Sequence, residues 1–439
     1  MTLSVEFPAF SDQVVTYPSF SQYIYSSEPA KEADPSMVLN SRMDYLIHQD
    51  PLYKMSQKEQ KMLWDNRHIL GCVPAALPKV LQVVDWTKPE MVIEMLRLMS
   101  TWAPLPGSEA LQLLDAHYPA REVREYAVNC LRNVPDIDIE DYMLQLVQVL
   151  KYEPFHDSPL SRFLLQRALQ NRERLGHLLF WYLKAELSSP HISHRYTLLA
   201  EAYLYGCGDH LFELTHQAQL VEKLQQVAEN VKSKKRGKKQ LLHKELADIK
   251  FDHRINLPIV PGMSISGFNI EKCKYMDSFT LPLWLECKNN DPFGGPVKMI
   301  FKNGDDLRAD ILTLQMFRIM DKLWQNSGLD LQMSPYMCTA TDNEAGMIEV
   351  VQNAVTAASI QKEKAGVVTG ALKKTPLAKW LREKNPTEAQ YEEAVDNFVS
   401  SLAGYCVATF ILGIGDRHND NIMITTSGQL FRKYFVCSL

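Results

Sequence analysis

No C-x-x-C pair occurs in this chain: its eight cysteines, at 72, 130, 207, 273, 287, 338, 406 and 437, are scattered without metal-like clustering. Such spacing excludes a cysteine-based zinc or redox motif and fits reduced thiols packed as small buried hydrophobes. No run reaches the roughly 18 apolar residues of a membrane span, and residues 1–6 lack the basic and apolar blocks of a signal peptide. Positive charge is not in excess either. The net charge of -5 speaks against wholesale nucleic-acid binding. From Asn421 to Leu439 there is no Asp and no Glu. What remains is ordinary globular material: 439 residues, 46% hydrophobic and 23% charged, enough for about three domains.

Residues 1–20 carry short apolar runs broken by Pro8 and Pro18, which suit edge-strand pieces. Residues 21–231 read as helical hairpins. Tyr142, Leu146, Val149 and Leu150 form one stripe; Leu160, Leu164 and Ala168 form another behind Ser158 and Pro159; Leu175, Leu178, Leu179 and Tyr182 form a third. Since these stripes satisfy one another, independent folding of the segment from about 35 to 231 is expected. The basic run Lys232–Lys239 opens a linker over 232–255, held open by self-repulsion or drawn to anionic head groups. Beyond it, strands are expected at 270–275, 282–287 and 297–302 and around Met333 and 347–351. A helix with Leu312, Met316, Ile319 and Leu323 as an apolar series at helical spacing lies among them. Helix starts follow at Thr375-Pro376 and at Asn385-Pro386-Thr387-Glu388, the latter with Glu388 at the capping-box position.

The richest stretch is Gly415-Asp416-Arg417-His418-Asn419-Asp420-Asn421. Asp416 and Asn421 have the spacing of the Asp and Asn in the protein-kinase catalytic loop H-R-D-x-x-x-x-N, where one orients the hydroxyl nucleophile and the other holds Mg²⁺. Here the His follows the Asp. That inversion, with residues 406–413 before it and Phe301–Arg308, Leu329–Leu331, Gly346–Val351 and Leu146–Phe155 upstream, resembles the class I phosphoinositide 3-kinase catalytic subunits. A lone G-D-R would carry little; the ordered series carries the resemblance.

The resemblance implies an α+β multidomain protein: a remnant of a C2 domain at 1–20, an all-α helical accessory domain at 21–231, the basic linker, and a bilobal kinase-like domain at 256–439. Its small lobe covers 256–351, a partial large lobe 352–431, and an atypical tail 432–439. It implies ATP and Mg²⁺ as cofactors. Lys302, ending a strand, would neutralise phosphate and be fixed by Asp310 in the next helix. Met276 and Ser278 would belong to a phosphate-covering loop that contains no glycine. Trp284, Ile300, Ile348, Val351 and Met423 would wall the adenine pocket, with Tyr336 deeper and main-chain groups of Glu349 and Val350 at the hinge. Asp416 or His418 would be the base, and Asn421 a Mg²⁺ ligand. Core packing alone would also explain the apolar members.

Several positions depart from the family's pattern. The phosphate-covering loop has no lysine before Pro282, and Ala309, Met337 and Asp342 stand where Gln, Gly and Gly are usual. After Phe431 the family continues with His-Ile-Asp-Phe-Gly-His and a basic activation loop, whereas here Arg432 leads to Leu439. The expectation is therefore an incomplete product of a phosphatidylinositol 3-kinase gene, inactive as it stands. A catalytically dead binding module is the second reading. Partners implied are an inositol phospholipid, phosphatidylinositol 4,5-bisphosphate being expected, a regulatory adaptor, and a small GTPase acting only through domains not in this sequence. No nucleic acid is expected, and the location implied is cytoplasmic with peripheral recruitment to the plasma membrane. Where adaptor-bound relatives carry an acidic site, this sequence has Lys54, Gln57 and Lys58.

Overall fold

The computed structural model describes residues 41–251, 253–365, 376–415 and 418–432. The expectations for residues 1–20, Thr375, Asp416, Arg417 and Cys437 lie outside these. Two compact units meet at Val134 and Pro135 in the chain.

Among the described residues the first unit is helical, with α1 (Ser41–Ile47), α2 (Gln57–Asp65), α3 (Leu77–Val83), α4 (Pro89–Thr101) and α5 (Arg121–Leu131) as its helices of seven residues or more. Local chemistry sets the start of α2: the Ser56 N–H and hydroxyl both donate to the Glu59 carboxylate at 2.8 Å, closing a capping box. Those hydrogen bonds hold the Glu59 carboxyl below its usual range. Lys54, Gln57 and Lys58 are exposed around this start.

The second unit joins helices to a sheet. Its helices are α6 (Asp136–Val149), α7 (Pro159–Gln170), α8 (His177–Glu186), α9 (Ser193–Gly206), α10 (His210–Ser233) and α11 (Lys238–Asp248). The strands are β1 (Ile255–Asn256), β2 (Ser264–Phe268), β3 (Lys274–Tyr275), β4 (Leu283–Asn289), β5 (Val297–Asn303), then β6 (Cys338–Asp342) and β7 (Ala345–Glu349) after helix α12 (Arg308–Asn326). All pairings are antiparallel, in the order β1-β2-β4-β5-β7-β6 with β3 on β4. β8 (Ala354–Thr356) then leads to α13 (Ala357–Ala365), α14 (Pro376–Lys384) and α15 (Glu388–Ile411); β9 (Ile422–Thr425) and β10 (Leu430–Arg432) complete a small sheet β10-β9-β8. The fold is thus α+β, a helical domain followed by a kinase-like region.

Where the structure differs from the sequence reading, tertiary packing is the cause. Residues 270–272 form a 3-10 turn before β3, and Met333 lies outside any strand, β6 beginning five residues later. On α12 the inward face is Ile311, Leu314 and Phe317, whereas Leu312 and Leu323 are 44% and 60% exposed. The helix has neighbours on two sides: Phe317 meets Tyr405 of α15 edge-on, while Gln315 pairs both amides with Gln145 of α6 at 2.8 Å. At α15 the cap is Thr387, which accepts from the Gln390 N–H at 3.3 Å, and Glu388 instead pairs with Arg382 at 2.5 Å. The expected open linker is mostly helix. α10 runs through Ser233, only Lys234–Gly237 intervene, and α11 packs on α10 and β3, where His243 Nε2 lies 2.9 Å from the Cys273 carbonyl oxygen. By length and composition α15 could cross a membrane, with mean hydropathy 1.3; here Ala408 and Tyr405 are buried and Val399, Phe410 and Ile411 are exposed.

The helices of the second unit do not satisfy their apolar faces alone. Leu144 of α6 and Ala185 of α8 join one core with Ile300, Leu314, Phe317 and Cys338 of the kinase-like region. Charged pairs frame that contact, Arg308 with Glu186 at 3.0 Å and Lys322 with Asp138 at 2.5 Å. A fragment ending at Val231 is therefore expected to expose the α6 and α8 faces and to bind a hydrophobic dye. A cooperative melt of that fragment without dye binding would show the helical segment to be self-sufficient.

Candidate active site

Antiparallel register lines up the apolar wall. Trp284 on β4 pairs with Ile300 on β5, and Ile300 with Ile348 on β7, so the three share one face of the sheet. Ile300, Tyr336 and Ile348 are buried; Met276, Trp284, Val350, Val351 and Met423 pack against the same cluster while remaining partly open. Eight of the residues singled out from sequence therefore come together, drawn from the sheet, the segment after β7 and the β9 strand. Tyr336 meets Phe431 of β10 edge-on at 6.2 Å between ring centroids.

After β7 the backbone is partly committed. The Glu349 N–H donates to the Met337 carbonyl at 2.9 Å, and the Val350 N–H to the Lys298 carbonyl at 3.2 Å. Among the described residues the Val351 N–H has no hydrogen-bond partner. Glu349 also accepts from the Met337 N–H through its carboxylate at 2.9 Å, fixing the segment before β6. A cavity of about 400 Å³ opens here, lined by Tyr336, Glu349, Val350 and Val351 among others. Lys302 and Trp284 are not among its walls.

Lys302 lies two residues beyond Ile300, on the same face, with Gly346 opposite it on β7. Its side chain is 8% exposed and its ammonium lies 3.1 Å from the Asp305 carboxylate. Asp305 also accepts from the Thr280 hydroxyl at 3.1 Å, so one carboxylate ties the strand lysine to the loop over residues 276–282. Asp310, in the first turn of α12, is 6% exposed. Its charge and that of Lys302 both act on Cys338: burial first, then Asp310, push that thiol well above its ordinary value, while Lys302 and Arg318 act oppositely. Sequence reading missed Asp305. Its signal was a carboxylate three residues past a strand lysine, at a turn where Gly304 and Asp305 both donate to the Glu344 carbonyl.

In the loop, the Met276 N–H donates to the Pro282 carbonyl at 2.8 Å and the Ser278 N–H to the Met276 carbonyl at 3.1 Å. The exposed Ser278 thus offers its hydroxyl. The lysine missing from the loop's own sequence has neighbours in space: Lys232 of α10 lies 5.7 Å from the Phe279 ring centroid and Lys274 of β3 lies 5.2 Å from that of Trp284.

At the other side, His418 is exposed and its Nδ1 accepts from the Asp420 N–H at 3.2 Å, while the Asn421 N–H donates to the His418 carbonyl at 2.9 Å. This turn sets Asn421 at the head of β9, two residues before Met423. Arg432 reaches back to the Gly415 carbonyl, tying the loop's entry to β10. Asn419 bonds Gln361 of α13 at 3.0 Å. Oxygen donors suited to Mg²⁺ are sparse: Asn421 is neutral, Asp420 is exposed beside it, and Mg²⁺ is ordinarily held by one or two carboxylates with waters. The described residues alone form an incomplete set for that ion.

Residues 31–216 match the family described as phosphoinositide 3-kinase family, accessory domain (PIK domain), and residues 296–433 match phosphatidylinositol 3- and 4-kinase. The chain is 44% identical over 434 residues to phosphatidylinositol 3-kinase 1 of Dictyostelium discoideum, covering 98% of this chain and 27% of that protein. It is 48% identical over 393 residues to phosphatidylinositol 3-kinase 2 of the same organism, covering 89% of this chain and 21% of the relative. It thus spans about a quarter of the length of the curated relatives it matches.

Proposed function

We propose, for a chain that belongs to the phosphatidylinositol 3- and 4-kinase family, that its sheet and β9 hairpin bind ATP and direct the γ-phosphate to the 3-hydroxyl of an inositol lipid. The observation that carries this reading is the single wall formed by Trp284, Ile300, Ile348 and Met423, with Lys302 and Asp310 beyond one side of it and His418 and Asn421 leading into another. Adenine would lie against that wall, with the Val351 N–H a donor for its edge. Lys302, held by Asp305, would neutralise phosphate oxygens as negative charge builds between them. Asp416 or His418 would take the proton of the attacking hydroxyl; with Nδ1 accepting from the Asp420 N–H, a neutral His418 carries its own proton on Nε2, so His418 would act as base only after giving up that hydrogen bond. Mg²⁺, when bound at Asn421 with further ligands, supplies neutralisation of the β- and γ-phosphates.

Phosphatidylinositol 4,5-bisphosphate as substrate, class I membership, a regulatory adaptor at the helical domain and transient recruitment from the cytoplasm to the plasma membrane complete the proposal. Its support is the sequence resemblance together with the named activity of the relatives. A second reading is an inert module acting through the helical domain; in its favour, the described residues around Asn421 offer Mg²⁺ few oxygen donors, Asn421 itself being neutral.

One assay separates the two. The 439-residue chain is incubated with radiolabelled ATP, Mg²⁺ and vesicles containing phosphatidylinositol 4,5-bisphosphate. A 3-phosphorylated product lost in Asp416→Ala supports the first reading. Absence of product together with retained ATP binding supports the second, and absence of both overturns the nucleotide site.

A further inference from the structure

Elsewhere in the second unit, two buried histidines lie near a carboxylate. His177 begins α8 directly after a single π-helical turn, Arg172–Gly176, a feature that inserts an extra residue and re-aims the side chains after it. The ring is 1% exposed, and its Nε2 lies 2.9 Å from the Pro258 carbonyl oxygen. Nε2 must therefore carry the proton, which leaves a lone pair on Nδ1. That Nδ1 is buried without a hydrogen-bond partner.

His210, at the start of α10, is 7% exposed and places Nδ1 2.8 Å from the Tyr203 hydroxyl. Its Nε2 is likewise buried without a partner. Glu213 follows three residues on, on the same side of the helix. Its Oε1 accepts from Asn256 at 2.7 Å and Gln217 at 3.1 Å, and Gln217 is itself fixed by the Trp181 indole N–H at 2.8 Å. One ligand atom from each of His177, His210 and Glu213 lies within 4.8 Å of the others.

Two buried imidazole nitrogens without partners are a cost that a folded protein rarely carries without reason. The contact with Pro258 puts the His177 lone pair on Nδ1, and His210 has one on Nε2 when its Nδ1–H donates to the Tyr203 hydroxyl. Each ring is also held through its other nitrogen, by a carbonyl and by a hydroxyl, the arrangement that orients metal-ligating histidines. Gly176 contributes by its size: a Cβ there would come within 2.0 Å of the Tyr203 hydroxyl oxygen that holds His210.

We propose that His177, His210 and Glu213 bind one divalent transition-metal ion, Zn²⁺ being the best fit, as a structural site joining α8 and α10 beside β1 and the residues just after it. Two imidazoles and one carboxylate suit zinc rather than Mg²⁺ or Ca²⁺, whose ligands are oxygens. Bonds of about 2.0–2.2 Å would draw the ligand atoms to roughly 3.4 Å apart, a contraction that small side-chain rotations supply. Water would take the fourth position. Because Asn256 and Pro258 form part of the surrounding shell, the ion would fix the helical domain against the entry to the kinase sheet, whichever function that sheet serves.

The test uses the full chain. Zinc content is measured after purification, EDTA is used to remove metal, and melting is followed before and after adding back Zn²⁺; Co²⁺ is loaded in place of zinc to read its visible absorption. Expected are one zinc per chain, a lower Tm after EDTA that zinc restores, and an absorption spectrum of tetrahedral Co²⁺ with nitrogen ligands. Glu213→Gln keeps an oxygen acceptor for Asn256 and removes the charge. It should fold like the metal-free chain and bind zinc about tenfold or more weakly. No zinc taken up at micromolar concentration, a Tm indifferent to EDTA, or equal zinc binding by Glu213→Gln would each overturn the proposal and leave a buried histidine pair.

Discussion

Replacing Lys302 with methionine is expected to weaken nucleotide binding by about 10- to 100-fold, the loss of roughly 1.5–3 kcal/mol from a charge-assisted contact. The side chain is 8% exposed and its ammonium lies 3.1 Å from Asp305, so its position is set before a ligand arrives. Methionine keeps the length and apolar stem while removing the charge. Without the cation, the Asp305 and Asp310 carboxylates would also repel phosphate. Lys232→Ala, which removes an exposed cation 5.7 Å from the Phe279 ring, should cost less, about 0.5–1 kcal/mol. A fluorescent-nucleotide titration reads both variants. Equal affinity for wild type and Lys302→Met would mean that nucleotide does not use this wall.

The other large effect concerns Gly346, which sits across from Lys302 on β7. A Cβ at this position would lie 2.4 Å from the Thr339 carbonyl oxygen and 2.7 Å from Leu307 Cδ1. The first of these atoms is backbone of the neighbouring strand and cannot swing away. Gly346→Ala should therefore part β6 from β7 or displace the α12 entry, costing about 1–3 kcal/mol, and Gly346→Val more. Calorimetry should show a fall of several degrees in Tm for alanine. Because the shift opens the sheet beside Lys302 and Ile348, nucleotide affinity should fall as well. An unchanged melt would show that the β6–β7 hairpin is looser than its close packing implies.

The parts that could be read along the sequence were those with local causes. Ser158 and Pro159 start α7 as expected, because the capping interaction closes within three residues. Leu160, Leu164 and Ala168 are fully buried, as their helical spacing suggests. β4 and β5 fall where alternating and β-branched residues suggest. The α12 stripe was misplaced by about one residue. A helix gripped on one side by Leu314 and Phe317 in the core and on another by Gln315 against α6 has no single apolar period to read. The basic run misled for a related reason: charge density argued for an open linker, while Leu242 and Leu246 of α11 found burial.

By itself the sequence determined the order of the domains, the apolar wall residues and the Asp416–Asn421 spacing, since these rest on short patterns and on a resemblance carried by contiguous motifs. Only the tertiary structure decided that Asp305 holds Lys302, that the Val350 N–H is taken while the Val351 N–H has no partner among the described residues, that Lys232 comes to the loop over residues 276–282 from another helix, and that His177, His210 and Glu213 converge. Each depends on which strand lies beside which and on which helix face turns inward, and those follow from antiparallel register and burial across separations of up to tens of residues. The division of the helical region at Val134 and Pro135 belongs with them. Its physical reason is that Leu144 and Ala185 find their burial against residues more than a hundred positions away, and no local pattern announces such a partner.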